Sequence, residues 1–345
     1  MPRYREVESC CFRDLFSWSK KTYCNGDSKF NLDNFEFVGS GKATISLILR
    51  YLNKSKIIPD KTYEVMVPEW IGPWVYAQII NNAFPTKHLS NKTKALFVYH
   101  QYGFPQNLER LREYADKYNL QIIEDCAHAI AGKERSGVQI GSFGDYSLYS
   151  FSKFFFCFAL GGVRSKNQEF LEFVKQEKRN TSWWLPYFNN FSKFAGEYSI
   201  DHLGKGIQNL TRQFTVMSYA LYNESYNPTS HSVNVALQKI EKEIETREKY
   251  YSYFREKVDK FGVCDHLERS DVYPYVIPIK VKSKHKEKII KKLRSFGFGT
   301  GSFNFDMNRF YIEPKFESCI WIICHSGLKN TAFEQQLDIV LSVIS

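Results

Sequence analysis

The sequence lacks an apolar run long enough to cross a membrane. Its longest apolar runs, such as FFFCFAL at residues 154–160, are far shorter than the roughly 20 residues that a spanning helix requires. The N-terminal stretch MPRYREVESCCFRDLFSW carries charges throughout, so the apolar core of a signal peptide is also missing. We therefore expect no membrane span and no secretory signal, and a cytoplasmic protein.

The eight cysteines form no recognisable metal or redox motif. They are scattered along the chain, and neither a CxxC pair nor a Cys/His cluster with zinc spacing occurs. Thiols in such a pattern are expected to stay free in a reducing compartment. We predict no metal site.

The charge balance favours anionic partners. Lys and Arg number 47 against 37 Asp and Glu, which gives a net charge of +10. The densest basic stretch, KSKHKEKIIKKLR at 282–294, has sparse apolar residues at helical spacing and is better explained as the solvated face of a helix. Because zinc-finger spacing and RNP-like motifs are missing, we do not expect nucleic-acid binding.

The first half of the chain alternates between predicted strands and helices. A helical pattern at 107–119 stands between two of the predicted strands, which are 64–68, 95–100, 121–125, 145–151 and the shorter 161–165. Strand, helix and strand over about 30 residues indicate a βαβ unit, and the repeated pattern predicts an α/β fold with a largely parallel sheet.

The second half has a different organisation. Residues 166–225 are helix-like and unusually aromatic, and an amphipathic helix is predicted at 233–258. It is followed by a predicted strand, the basic helix, another strand and a final helix, at 273–281, 282–294, 321–326 and 333–344. We predict a large domain over 1–230 and a smaller α+β domain over 231–345.

Three polar residues stand at the ends of predicted parallel strands: His100, Asp125 and Ser150. Ligands of open α/β sheets collect beyond the carboxyl ends of the strands, so we expect these side chains to meet at one cleft. A carboxylate at the end of a buried strand is costly unless it is paired or used, and this makes Asp125 the first candidate.

Short motifs follow one another in a fixed order. They are GSGKATISL (39–47), VPEW (67–70), VYHQYGFP (98–105), IIEDCAHAI (122–130), GSFGDYSLYSFSK (141–153), GGV (161–163), YNPTSHSVNVALQKIEK (226–242) and ICHSGL (323–328). Each is a weak signal alone, but the ordered set resembles the DegT/DnrJ/EryC1/StrS family of pyridoxal-phosphate (PLP) sugar aminotransferases from about residue 37 to the end. The resemblance implies PLP fold type I and a homodimer with active sites at the subunit interface.

The resemblance implies roles for three residues near the cofactor ring. Lys153 matches the lysine that forms the Schiff base, Asp125 the acid that faces the pyridine nitrogen, and His128 the Gln/His beside the ring 3-hydroxyl. The alternatives are a lysine that reaches solvent from a strand end, an aspartate that caps a helix or turn, and a histidine that serves packing. Glu124 points the other way on the strand, and we assign it no role.

The cofactor phosphate is expected at the start of the helix that GSGK opens, where free amides bind anions. The matching residues are Gly41 and Lys42 through their backbone, Ser150 through its hydroxyl, and Asn227 from the partner subunit. The family's ring-stacking aromatic falls at a glycine here. We prefer Trp70 to Trp74 for that role.

The sequence also departs from the family pattern. Only Ser152 separates SF from the lysine, Lys42 replaces a threonine, and the segment 166–225 is long and aromatic. We expect the segment to bear on substrate identity. The function implied is transfer of an amino group, from glutamate or a similar donor, to a nucleotide-linked keto-sugar for surface polysaccharide assembly. A PLP-family sugar dehydratase and a non-catalytic binding protein on the same fold are the alternatives.

Overall fold

The structure is a computed structural model that describes residues 4–10, 14, 29–202, 206–211, 213–214, 224–263, 267 and 271–344. Parts of the aromatic segment 166–225 and three of the eight cysteines fall outside these ranges. Within them, the five cysteines are free thiols. No helix in the described ranges has both the length and the apolar character needed to cross a membrane.

A seven-stranded sheet forms the centre of the large half of the molecule. Its strands are β1 (Phe35–Val38), β2 (Glu64–Met66), β3 (Phe84–Thr86), β4 (Thr93–Tyr99), β5 (Gln121–Asp125), β6 (Tyr146–Ser150) and β7 (Gly161–Arg164). Their spatial order is β1-β7-β6-β5-β4-β2-β3. Only β7 runs against the others, because it is antiparallel to both of its neighbours. The predicted α/β fold with a largely parallel sheet is confirmed.

A second, three-stranded antiparallel sheet lies in the C-terminal part. Its strands β8 (Val276–Lys280), β9 (Ser302–Asp306) and β10 (Phe316–Ile323) have the order β8-β10-β9. The helices of the chain that are described in full are α1 (Gly41–Lys54), α2 (Pro73–Ile80), α3 (Leu108–Tyr118), α4 (Gln168–Asn180), α5 (Leu185–His202), α6 (Ser230–Val258), α7 (Ser283–Ser295) and α8 (Asn330–Ile344).

Local sequence explains where the helices begin and which face they bury. The side chain of Ser40 accepts a hydrogen bond from the Ala43 amide at 3.0 Å and caps α1. Asn107 caps α3 in the same way, and Asn119 ends it in the left-handed conformation at φ 52°. The apolar positions that predicted α3 are the buried ones, which are Leu108, Leu111 and Ala115.

The elements that the sequence did not reveal are mostly short. Strands β1 and β3 have four and three residues, too few for a pattern of alternation to be visible. Strand β3 also contains Pro85, which a strand tolerates at the edge of a sheet, and β3 is an edge strand. The aromatic segment contributes helices α4 and α5, as its helix-like sequence predicts.

Helix α6 joins the two halves of the molecule. Its N-terminal part packs into the core behind the large sheet through Val235, Ala236, Ile240 and Ile244. Its C-terminal part packs into the core of the small sheet through Tyr250, Tyr251, Phe254 and Val258. The domain boundary near residue 230 stays a prediction, since the helix that begins there contributes to both cores.

A buried ion pair lies midway along α6. The Nε of Arg247 donates to Glu243 Oε1 at 2.6 Å, and both side chains are fully buried. The same guanidinium donates to the carbonyl oxygens of Pro274 and Tyr275 at 2.5 and 2.8 Å, just before β8. Glu243 in turn accepts from the Ser326 amide at 3.1 Å. These bonds fix the small sheet to the long helix.

Arg247→Met should lower the free energy of unfolding by about 3–5 kcal/mol, because Glu243 would stay buried without its counter-charge. Urea unfolding of the purified protein measures this loss. The double variant Arg247→Met/Glu243→Gln should recover part of it.

The control for this experiment is Lys175→Met, which breaks the exposed ion pair of Lys175 with Glu172 and should leave the unfolding midpoint unchanged. Equal stability of Arg247→Met and this control would show that the buried pair does not join the two halves.

Candidate active site

Two adjoining cavities open where β5 and β6 end. The larger has a volume of about 620 Å³ and the smaller about 320 Å³. Asp125 and Lys153 line both of them, together with Gly72, Val75 and Ala127. The carboxyl ends of the parallel strands therefore carry the cleft, as expected for an open α/β sheet.

Lys153 ends a single 3-10 turn, Phe151–Lys153, directly after β6. Its Nζ lies 2.7 Å from His128 Nε2, and the side chain is half-buried at the junction of the cavities. Desolvation lowers the pKa of Lys153, the charge of Asp125 partly offsets that effect, and Lys193 adds to it. A lowered pKa makes more of the free amine available as a nucleophile or base.

His128 is held on its ring edge and on its ring face. Its Nδ1 is hydrogen-bonded to the Tyr99 hydroxyl, and its ring stacks on Tyr275 with centroids 4.4 Å apart and planes at 16°. Burial lowers its pKa well below the usual value, and the charges of Lys153 and Arg247 lower it further. The imidazole is therefore neutral at pH 7, so that one ring nitrogen donates and the other accepts in the pair of bonds to Lys153 and Tyr99.

Asp125 is almost fully buried at the end of β5. Its Oδ1 accepts a hydrogen bond from the Ala127 amide at 2.8 Å, so the carboxylate holds the turn that follows the strand. Burial raises the pKa of Asp125, while that hydrogen bond and the charge of Lys153 oppose the rise. Asp125 thus caps the turn, which is the alternative role considered from the sequence. That role uses only Oδ1, and the same carboxylate also lines both cavities.

Glu124 is the important residue that the sequence reasoning missed. Its fully buried carboxylate accepts five hydrogen bonds, all between 2.6 and 3.1 Å. The donors are His100 Nε2, the amides of Gly141, Phe143 and Gly144, and the Ser147 hydroxyl. Burial alone would raise the pKa of Glu124, but the bonds from His100, Gly144 and Gly141 outweigh it, and the pKa lies below its usual value.

The expectation for His100 is wrong. Its side chain is fully buried and bonds to Glu124, while its Nδ1 accepts from the Gln106 amide at 3.3 Å. It lines neither cavity, because β4 and β5 are paired so that this residue faces the neighbouring carboxylate. His100 and Glu124 also lie near Cys126, with metal-ligand atoms within 4.8 Å of one another. The donors around Glu124 already engage both of its oxygens.

The start of α1 lies unusually close to the ends of β6 and β7. A Cβ on Gly41 would lie 2.7 Å from Ser150 Oγ, and a Cβ on Gly161 would lie 2.7 Å from the Gly41 amide nitrogen. Glycine at both places allows the helix terminus to approach the strand ends. Ser150 and the amides that begin α1 therefore meet at the smaller cavity, where the phosphate site was expected.

Lys42 follows in the first turn of α1. Its ammonium lies over the Trp74 ring, 4.2 Å from the centroid, and lines the smaller cavity. Burial lowers its pKa to about 8, and the charge of Lys193 contributes to that shift. The side chain, and not only the backbone expected from the sequence, is thus part of the site.

The two candidate aromatic residues lie in different cavities. Trp70 is 56% exposed on the wall of the larger cavity, where its ring meets the Phe316 edge at 6.3 Å. Trp74 is 50% exposed and lines the smaller cavity. Gly72, where the family places its aromatic residue, lies between them on the wall of both cavities. The stacking role of Trp70 stays a prediction.

Asn227 lies outside both cavities and is exposed. The neighbouring Tyr226 carbonyl accepts from the Gly39 amide at 3.1 Å, which ties this loop to the turn before α1. Such a position is compatible with contact to a partner subunit, and the role of Asn227 stays a prediction.

The fold and this arrangement define the class of the protein: an α/β protein of PLP fold type I, with a lysine and a buried aspartate at the ends of neighbouring strands. The sequence model of the DegT/DnrJ/EryC1/StrS aminotransferase family matches residues 81–182. The chain is similar to this family over those residues, which make up less than half of its length.

Three similar proteins illustrate the match. A dTDP-3-amino-3,6-dideoxy-alpha-D-galactopyranose transaminase of Aneurinibacillus thermoaerophilus is 32% identical over 40% of this chain and 39% of its own. The structure of Helicobacter pylori PseC, an aminotransferase involved in the biosynthesis of pseudoaminic acid, covers 99% of both chains with a TM-score of 0.64 and 13% identity. A mutant of GDP-4-keto-6-deoxymannose-3-dehydratase (ColD) with bound GDP-perosamine covers 89% of this chain and 88% of its own with a TM-score of 0.61 and 14% identity.

The matches to curated relatives are partial in length. The first three span 39%, 17% and 55% of the relatives' own chains, which is less than two thirds in each case. The two solved structures cover 99% and 89% of this chain, but at identities of 13% and 14% they show its fold alone. The fold is shared by an aminotransferase and a dehydratase, so the reaction must be argued from the site.

Glu124→Gln should lower the free energy of unfolding by about 3 kcal/mol at pH 7. The NH₂ group of the glutamine would replace a carboxylate oxygen that accepts hydrogen bonds, and the buried N–H donors facing it would lose their acceptor. A pKa that is lower in the folded state stabilises the protein above the unfolded-state pKa of about 4.3. This stabilisation is lost as the pH falls through the folded-state pKa. The variant should therefore lose less stability than the wild type on acidification.

Urea unfolding at a series of pH values tests both parts of this prediction. Glu109→Gln, at an exposed position in α3, is the matched control. A stability–pH curve for Glu124→Gln that runs parallel to the wild-type curve would contradict the role given to this carboxylate.

Proposed function

We propose that the protein is a PLP-dependent aminotransferase that moves an amino group from an amino acid, glutamate by family resemblance, to a keto group of a nucleotide-linked sugar. The observation that carries the proposal is the placement of Lys153 and Asp125 on one cleft. The lysine amine there is bonded to a neutral histidine and desolvated, while the aspartate is buried. A lysine that only reached solvent from a strand end would need neither feature.

The residues around the cleft fit PLP. They offer an amine, a buried carboxylate, a serine hydroxyl and the start of a helix, which glycine allows to approach that hydroxyl closely. PLP, when bound, supplies an electron sink that stabilises negative charge on the carbon of an attached substrate. Lys153 would hold it, Asp125 would face its ring nitrogen, and Gly41, Lys42 and Ser150 would meet its phosphate.

Lys153 is suited to moving protons as well as to attachment. Its amine is desolvated, so it exchanges a proton more readily than a solvated lysine at neutral pH. His128 Nε2 is hydrogen-bonded to Nζ, and the ring is itself fixed by Tyr99 and Tyr275. The neutral imidazole orients the amine without competing for its proton.

Asp125 would keep the cofactor nitrogen protonated. Burial disfavours its charged form, and a cationic partner in the cavity would reverse that preference through a direct charge interaction. The Ala127 amide fixes the carboxylate at the end of β5. A cation bound in the cleft would offset the free-energy cost of burying the charged Asp125. This would explain why the buried strand β5 ends in a carboxylate.

The larger cavity suits the acceptor. Its volume of about 620 Å³ lies in the range of small-molecule sites. Its walls combine aromatic faces with polar groups, namely Trp70, Tyr102, Phe303, Gln101, Asn304 and Lys286. Lys286 Nζ donates to Ser318 Oγ at 2.6 Å and places a cation at the wall. A ring-bearing, negatively charged acceptor such as a sugar nucleotide matches this lining, and the product would serve surface polysaccharide assembly.

The dehydratase alternative is disfavoured by Lys153 itself. The family's 3-dehydratases carry histidine in place of this lysine, whereas here the lysine lies in the cleft. The binding-protein alternative would leave the desolvation of Lys153 and Asp125 without use. The proposal includes a homodimer, in which the exposed Asn227 of one subunit would reach the phosphate site of the other.

Wild-type protein mixed with PLP should gain the visible absorbance band of lysine-bound cofactor, and glutamate should bleach it. Lys153→Ala should lack the band because the attaching amine is gone, while Lys175→Ala should keep it. A band that glutamate does not bleach would contradict glutamate as donor. The absence of this absorbance band in the wild type would contradict the proposal that the protein is a PLP-dependent enzyme.

Asp125→Asn should bind PLP but react slowly, because an amide cannot keep the ring nitrogen protonated. We expect the rate of bleaching by glutamate to fall by about 10²- to 10⁴-fold. Stopped-flow absorbance measures it, with Asp116→Asn at an exposed position of α3 as control. A rate within error of the control would remove Asp125 from the mechanism.

A further inference from the structure

The smaller cavity is lined by more lysines than the attachment of a cofactor to Lys153 requires. Three lysines from separate elements line it: Lys42 from the start of α1, Lys153 after β6, and Lys193 from α5. Among the described residues that line it, Asp125 alone carries a carboxylate. Like charges in a space of about 320 Å³ repel one another unless an anion lies between them.

Lys193 is held in place by an acidic neighbour on its own helix. Its Nζ donates to Glu197 Oε1 at 2.7 Å, and Glu197 also accepts from Arg5 at 2.9 Å. The two cations hold the pKa of Glu197 at about 2 despite its burial. Lys193 is therefore a positioned charge on the cavity wall and not a mobile surface lysine.

Lys42 and Lys193 both line the smaller cavity. Lys42 is fixed over the Trp74 ring, and the lowered pKa of Lys42 includes repulsion from Lys193. The Gly41 approach to Ser150 brings the amides at the start of α1 and a hydroxyl to the same cavity. A tetrahedral dianion would meet two ammonium groups, a hydroxyl and backbone donors there.

We propose that Lys42 and Lys193 form a two-lysine clamp for the phosphate of the cofactor. The proposal rests on the proposed function, since it takes PLP as the ligand. It gives the aromatic segment a role, because α5 delivers Lys193 to the cleft. It also makes a large part of phosphate binding independent of the partner subunit.

The test compares PLP with pyridoxal, which has the same aldehyde but no phosphate. Lys42→Gln and Lys193→Gln should each weaken PLP binding by about 10- to 100-fold, as expected for the loss of one charged hydrogen bond. Pyridoxal should bind both variants as it binds the wild type. Spectroscopic titration of the dialysed full chain gives the dissociation constants.

One arginine variant and one remote lysine variant provide controls. Lys193→Arg should retain most of the preference for PLP because the charge is kept. Lys175→Gln makes the same charge change at an exposed position of α4 and should leave both affinities unchanged. Equal weakening of PLP and pyridoxal in Lys193→Gln would overturn the clamp and leave Lys193 as a positioning residue for Lys153.

Inorganic phosphate separates this proposal from the proposed function. It should raise the melting temperature of the cofactor-free wild type, and the rise should be smaller in Lys42→Gln and Lys193→Gln. A wild type that gains no PLP absorbance but is stabilised by phosphate would defeat the enzyme proposal and keep an anion clamp. A wild type that binds PLP, with both variants equal to it, would defeat the clamp alone.

Discussion

The buried carboxylate of Glu124 fixes the elements on which the candidate site depends. Its five hydrogen bonds join the end of β4 through His100, the loop 141–144 through three amides, and β6 through Ser147. Asp125 is the next residue on the same strand, and it points to the other face. The position of Asp125, the candidate functional carboxylate, is therefore set by the buried carboxylate of Glu124.

The electrostatics of the cleft follow from burial. Desolvation moves the pKa values of Lys153 and Asp125 toward their neutral forms, and the charge of each opposes the shift in the other. His128 is neutral for the same reason, so it can hold the lysine amine through a hydrogen bond without adding charge. The positive excess in the smaller cavity comes from Lys42 and Lys193, whose mutual repulsion a bound anion would relieve.

The two cavities divide the work that the proposed reaction requires. The smaller has the basic and helix-terminal groups that suit a phosphate, and the larger has the aromatic and polar walls that suit a sugar nucleotide. Lys153 and Asp125 line both, so the reacting groups would stand between cofactor and acceptor. The small sheet forms one wall of the larger cavity through β9 and β10, and the buried Arg247 fixes that sheet to α6.

The sequence by itself determined the α/β class, the long helix, the resemblance to the DegT/DnrJ/EryC1/StrS family and the placement of Lys153, Asp125 and Ser150 at one cleft. Hydrophobic periodicity and motif order are local properties of the sequence, so they can be recognised without knowledge of the packing. The tertiary structure alone decided that His100 faces Glu124 and that Lys193 faces the cleft. It also decided that Trp70 and Trp74 lie in different cavities. These depend on strand pairing and on the path of α5, which bring together residues far apart in sequence and leave no local pattern.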